Sequence, residues 1–152
     1  MTSPENMAEA HRSEVSVAEA GTGTYTRDIT TGHHRLVADE PRPSGDNAGP
    51  SPYELLLAAL GACTSMTVRH YAERNGWPLE QVLVTVRHSR IHTEDCVVCE
   101  TGHTRIDHID VDIWLAGELD QQQRERLLHI AEQCPVHRTL ASQVSMATSL
   151  QT

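Results

Sequence analysis

The stretch Ser51 to Gly76, SPYELLLAALGACTSMTVRHYAERNG, constrains this chain more than any other. Its first residues have the chemistry of a helix start. Ser51 accepts from first-turn amides, Pro52 suits the first helical position, and Glu54, three residues after Ser51, completes a capping box. Gly76, after polar Arg74 and Asn75 and just before Pro78, marks the end. Between the caps, Leu55 to Cys63 carries no polar side chain except the thiol. A helix apolar on every side must be buried on every side. Beyond Cys63 the pattern becomes one-sided: Met66, Val68 and Tyr71 continue the apolar side, while Arg69, Glu73 and Arg74 face water. About 25 residues at 1.5 Å each make a rod of roughly 37 Å. The apolar run is too short to span a membrane. The sequence therefore predicts a central core helix with a cysteine in its middle.

A chain of 152 residues is expected to form one domain around such a helix. With 38% apolar residues and no Phe, material for covering it is limited. A net charge of −9 argues against nucleic acid or an anionic membrane as partner. The opening MTSPENMAEAHRSEVSVAEA is polar and acidic, without the apolar core of a signal peptide. Residues 1 to 20 read as a disordered or loosely docked tail, and residues 21 to 152 as the domain. A cytoplasmic location is the expectation, and there structural disulfides are uncommon. Cys63, Cys96, Cys99 and Cys134 then read as thiols, metal ligands or redox centres rather than staples.

Two short strand-like pieces, Thr24–Ile29 and His33–Ala38, flank a turn at Thr30-Thr31-Gly32. Pro41 to Pro52 holds four prolines and two glycines and reads as a loop leading into the helix. After the helix, Leu79 to Ile91 is a long strand with Val82, Val84 and Val86 on one face. The next strand alternates plainly, with Ile109, Val111, Ile113 and Leu115 opposite Asp110, Asp112 and Trp114, and Gly117 ends it. Asp120 caps a second helix, with Gln123 at the capping-box position and Leu127, Leu128, Ile130 and Ala131 on its apolar side. Cys134-Pro135 breaks that helix and starts another running to about Leu140, and a short final strand over Gln143–Ala147 fits the pattern. Strands, long helix, strands, helix and strand without regular alternation predict α+β, with a mainly antiparallel sheet over one buried helix.

Several residues have the makings of chemistry. Cys63 is either a nucleophile or a small hydrophobe packed in a core. Cys134 falls at a helix N-cap, where free amides and the positive end of the dipole favour thiolate, with His137 and Arg138 close behind; it reads as an activated thiol or as a cap alone. Arg35 stands in an apolar strand piece, and Glu54 is explained by the capping box. Nine residues of helix place Glu54 on the face opposite Cys63, about 13 Å away along the axis. If the two cooperate, either the helix start is irregular or Glu54 acts across a subunit interface. A second constellation is His88, His92, Cys96, Cys99, His103 and His108. H-x3-H-x3-C-x2-C supplies ligands for a structural zinc, with Cys96, Cys99 and His92 as the candidate set. A redox-active C-x-x-C and an inert polar loop are the other readings.

SPYELLLAALGACTSM and CPVHRTL, taken together with HHRLVADEPRPSGDNAGPSP, resemble the OsmC/Ohr family over about residues 22 to 148. That resemblance implies an intertwined α+β homodimer with two active sites between subunits, acting as a thiol peroxidase on organic hydroperoxides and hydrogen peroxide. It implies Cys63 as the peroxidatic thiol, Cys134 as its resolving partner, and Arg35 and Glu54 as assisting residues. The glutamate that better-studied members carry directly after the proline is replaced here by Tyr53, with Glu54 one residue later. A dithiol reductant and a small hydroperoxide would be the partners, with no cofactor required beyond a possible structural zinc. The rival expectation is a non-enzymatic OsmC-like stress or small-ligand-binding protein whose cysteines are only packed.

Overall fold

The computed structural model describes residues 13–92 and 105–151, and these form an α+β arrangement of antiparallel sheets and helices. The chain divides between Leu55 and Leu56 into two units.

The first unit is a three-stranded antiparallel meander of β1 (Ser16–Glu19), β2 (Arg27–Thr31) and β3 (His34–Ala38), in that order. The β2–β3 turn is Gly32-His33, between the paired residues Thr31 and His34, slightly later than the sequence placed it. Gly32 adopts φ +56°, a conformation that costs glycine nothing. Ser16–Glu19 lies in the stretch read as a tail, yet it pairs with β2, Val17 opposite Ile29. Val17, with Val15 just before the strand, supplies the β-branched residues that favour this pairing.

Asp39, just past β3, is buried and organises the loop that leads to the long helix. Its carboxylate accepts from the Thr26 hydroxyl at 3.2 Å and from the amides of Glu40 (2.8 Å), Asp46 (3.2 Å) and Ala48 (3.1 Å). The Ala48 amide foremost, then Glu40, Thr26 and Asp46, hold this carboxyl below its ordinary value against the opposing effect of burial. A depressed folded value means that the stabilisation is full above the unfolded carboxyl range and is lost as pH falls through the folded one. The protection factor of the Ala48 amide, its exchange relative to the unprotected rate at the same pH, is therefore expected to fall on acidification before that of the rest of the unit. Unchanged protection through that range would remove Asp39 from this role.

In the second unit a long helix lies on a two-stranded sheet. Helix α1 (Pro52–Arg74) runs continuously from the first unit, and β4 (Leu79–His92) pairs antiparallel with β5 (Arg105–Gly117). Val82, Val84 and Val86 stand opposite Leu115, Ile113 and Val111, so one face of the hairpin is apolar. A Cβ built on Gly61 of α1 would come within 3.3 Å of Val86, which places the helix close against that face. The buried stripe of α1 is Leu60, Thr64, Val68 and Ala72, one residue per turn. Val68 and Ala72 meet Leu79, Leu119, Leu127 and Ala131 in the core, flanked by Tyr71, Trp77, Ile113 and others.

The ends of α1 are fixed as the sequence indicates. The Ser51 amide donates to Glu54 at 2.7 Å, and the Glu54 amide to the Ser51 hydroxyl at 3.3 Å. At the other end Gly76 has φ +63°, with Gly76 N–H bonded to Glu73 O (3.1 Å) and Trp77 N–H to Ala72 O (2.9 Å). Burial is the point of difference. The buried residues of α1 form one stripe, while Leu56 and Met66 are exposed, in place of the all-round burial expected from the sequence. On the outer face of the hairpin the paired residues Leu83 and Trp114 are 55% and 54% exposed.

Helix α2 (Gln121–Ala131) begins at the predicted Asp120–Gln123 capping box. Its Arg124 guanidinium donates to the carbonyls of Leu115, Gly117 and Leu119 and locks the turn out of β5. Leu127 is fully buried, whereas Leu128, counted on the apolar side from sequence, is 55% exposed. Helix α3 (Pro135–Leu140) follows. The expected final strand does not form: residues 143–151 are irregular, with Val144, Met146 and Leu150 exposed. A strand without a neighbour has no ladder to satisfy its amides.

Candidate functional site

The two thiols that the sequence singled out meet in the second unit. Cys63 sits on α1 directly before the buried Thr64, and Cys134 is the N-cap of α3, with 0% of its surface exposed. Both are free thiols, and Cys63 is only partly buried. The cap geometry is the one that the Cys-Pro pair predicts: Cys134 is extended (φ −61°, ψ 139°) and its sulfur accepts from the His137 amide at 3.2 Å. The Thr64 hydroxyl donates to the same sulfur at 3.5 Å, and the Cys63 thiol also hydrogen-bonds it.

Burial pushes the Cys134 thiol up. The Thr64 hydroxyl, the His137 amide, the Cys63 thiol and the Val136 amide outweigh it, and the group is held below an ordinary thiol value. A buried sulfur is thereby kept ready to carry negative charge. A groove nearby is lined by Leu60, Ile109, Val111, Leu140 and Ala141 together with the polar Asp107 and His137. A second hollow, lined by Thr64, Ile109, Val111 and Ile113, continues it toward α2.

The other predicted residues are placed as follows. Arg35 is an exposed residue of β3, paired with Thr30. Glu54 is engaged in the capping box, where the Ser51 amide and hydroxyl hold its carboxyl below the ordinary value. Cys96, Cys99 and His103 lie outside the described residues; of His92 only its place in β4 is described. Among the described residues no His, Cys, Asp and Glu cluster is arranged to hold a metal ion. His88 and His108 instead face Asp107 (2.8 Å) and Asp110 (3.2 Å) on the sheet. Sequence reasoning passed over Thr64. The only sign of it was a hydroxyl on the stripe that otherwise carries Leu60, Val68 and Ala72.

The model of the family described as OsmC-like protein matches residues 45–149. The chain belongs to the OsmC-like family. No curated protein matches it in sequence. Among solved structures, an OsmC-like protein from Mycoplasma pneumoniae aligns with a TM-score of 0.68 at 17% identity, over 87% of this chain and 89% of that one. An organic hydroperoxide resistance protein from Legionella pneumophila aligns with a TM-score of 0.62 at 21% identity, over 86% and 90%. One from Bacillus subtilis gives 0.55 at 17%, over 85% and 90%. At these identities the OsmC-like fold is what they share. Among the described residues no helix of this OsmC-like chain is long and apolar enough to cross a membrane.

Proposed function

We propose that this OsmC-like protein is a dithiol peroxidase that reduces organic hydroperoxides and hydrogen peroxide. The observation that carries the reading is the meeting of Cys63 and Cys134, from motifs far apart in sequence, with Cys134 held toward thiolate. Partial exposure makes Cys63 the thiol that a peroxide can reach. Its thiolate attacks the terminal peroxide oxygen, the O–O bond breaks, and the alkoxide leaves and takes a proton. Cys63 becomes a sulfenic acid. The Cys134 thiolate then attacks the Cys63 sulfur, water departs, and a Cys63–Cys134 disulfide remains for an external dithiol to reduce. The groove of Leu60, Ile109, Val111 and Leu140 favours an organic substrate whose alkyl part is withdrawn from water.

Arg35 and Glu54 have the chemistry to serve the site as a thiolate-stabilising guanidinium and the carboxylate that orients it. Since α1 is continuous, Glu54 and Cys63 leave opposite faces of one helix, and in this reading Glu54 serves the site of a partner subunit. A homodimer would also cover Leu56, Met66, Leu83 and Trp114. Light scattering at micromolar concentration is expected to give twice the chain mass; a stable monomer would contradict the shared site. For the activity itself, hydroperoxide consumption is measured with a dithiol in excess. Turnover over many equivalents supports the enzyme, and none supports a binding protein whose thiols are only packed.

A further inference from the structure

We propose that Thr64 is the positioning residue that makes Cys134 the leaving sulfur of the oxidised pair, so that the external dithiol attacks Cys63. The proposal rests on the peroxidase reading for the place of this disulfide in a catalytic cycle.

The hydroxyl of Thr64 is unusual in its choice of partner. A helical threonine commonly gives its one hydrogen to the carbonyl a turn back. Thr139 of α3 does so, donating to the Pro135 carbonyl at 3.0 Å. Thr64 is 1% exposed and gives its hydrogen to the Cys134 sulfur at 3.5 Å instead. Its neighbours on the same stripe, Leu60, Val68 and Ala72, show that an apolar residue would serve for packing alone. Burying a hydroxyl is unfavourable unless it is paired, so the position depends on the sulfur as acceptor.

The two sulfurs are consequently unequal. Cys134 receives both the Thr64 hydroxyl and the His137 amide, besides the hydrogen bond that it shares with Cys63. Burial adds to the asymmetry, because Cys134 is 0% exposed and Cys63 only partly covered. In thiol–disulfide exchange the better-stabilised thiolate leaves. A thiolate of the dithiol reductant attacks the Cys63 sulfur in line with the S–S bond. A reductant–Cys63 bond forms, the Cys63–Cys134 bond breaks, and its electron pair leaves on Cys134, received by the Thr64 hydroxyl and the His137 amide. The second thiolate of the reductant then attacks its own mixed disulfide. Cys63 is released as thiolate and the reductant departs as a cyclic disulfide, so two electrons pass to the protein. The amide of His137 is supplied by any residue at that position, which leaves Thr64 as the side chain on which the asymmetry turns.

The test separates this from peroxide chemistry by forming the disulfide with diamide. Oxidised protein is mixed with glutathione, quenched in acid, and the mixed disulfide is mapped by peptide mass. In a second measurement the thiolate absorbance of Cys134 is titrated in a Cys63→Ala, Cys96→Ser, Cys99→Ser background, which removes every other thiol of the chain and leaves Glu132 and His137 as the titratable side chains lining the adjoining hollow. Thr64→Val and Thr64→Ser are compared in both, with folding checked by circular dichroism. The expected results are glutathione on Cys63, a Cys134 titration raised by about one pH unit in Thr64→Val, and its return in Thr64→Ser. Reduction of the Thr64→Val disulfide should slow several-fold, without change in Thr64→Ser. Glutathione on Cys134, a titration unmoved by Thr64→Val, or failure of diamide to join the sulfurs would each overturn the proposal. Absence of hydroperoxide turnover with these results intact would instead count against the peroxidase reading alone.

Discussion

Replacing Cys63 by serine is expected to lower hydroperoxide turnover by about a thousandfold or more, because the substitution removes the only sulfur of the pair that substrate can reach. Serine keeps the size and a hydroxyl, but an alcohol at neutral pH is neither ionised nor a sulfur nucleophile. Cys134→Ser should behave differently. Its first turnover should survive, since the attacking thiol is intact, and later turnovers should fail as the sulfenic acid waits without a partner and over-oxidises. Stopped-flow consumption of hydroperoxide, with one and then many equivalents, separates the two patterns. Retained turnover in Cys63→Ser together with a lost first turnover in Cys134→Ser would exchange the roles assigned here.

The largest effect on stability is expected at Leu127. This side chain is fully buried among Val68, Ala72, Leu79 and Leu119, where α2 closes over α1. Truncation to alanine loses the transfer free energy of the removed carbons and leaves a cavity that the helices close only in part. A cost of about 2–5 kcal/mol follows, equivalent to a melting point lower by roughly 5–15 °C for a chain of this size. Leu128→Ala is the control. In an isolated chain this exposed residue should move stability by about 0.5 kcal/mol or less. A cost at Leu128 approaching that at Leu127 would show that a partner subunit covers that side of α2.

Much of this molecule was legible in its sequence because the local signals were strong and agreed with one another. Ser51, Pro52 and Glu54 at one end of α1 and Gly76 at the other are capping residues with one structural use each. The alternation from Ile109 to Leu115 has a single strand reading. Cys134-Pro135 gave the N-cap geometry of the second thiol, including its hydrogen bond from a first-turn amide. What escaped depends on tertiary placement. Thr64 reads as an ordinary helical polar residue until Cys134 is brought against it from the other end of the unit. Asp39 reads as a loop acid until four donors converge on its carboxylate. The strand expected at Gln143–Ala147 has the right residues but pairs with no neighbour among the described residues. The all-round apolar character of Leu55 to Cys63 marks a helix, but the all-round burial expected from it is not met, since the buried residues of α1 form one stripe.

Whether Cys63 and Cys134 act as one redox unit is decided by a single titration. Reduced protein is treated with one equivalent of an organic hydroperoxide, free thiols are blocked under denaturing conditions, and the peptides are mapped by mass. A Cys63–Cys134 disulfide in near-stoichiometric yield and one equivalent of the corresponding alcohol are expected. Recovery of both residues as blocked thiols, with the hydroperoxide unconsumed, would contradict a joint redox role.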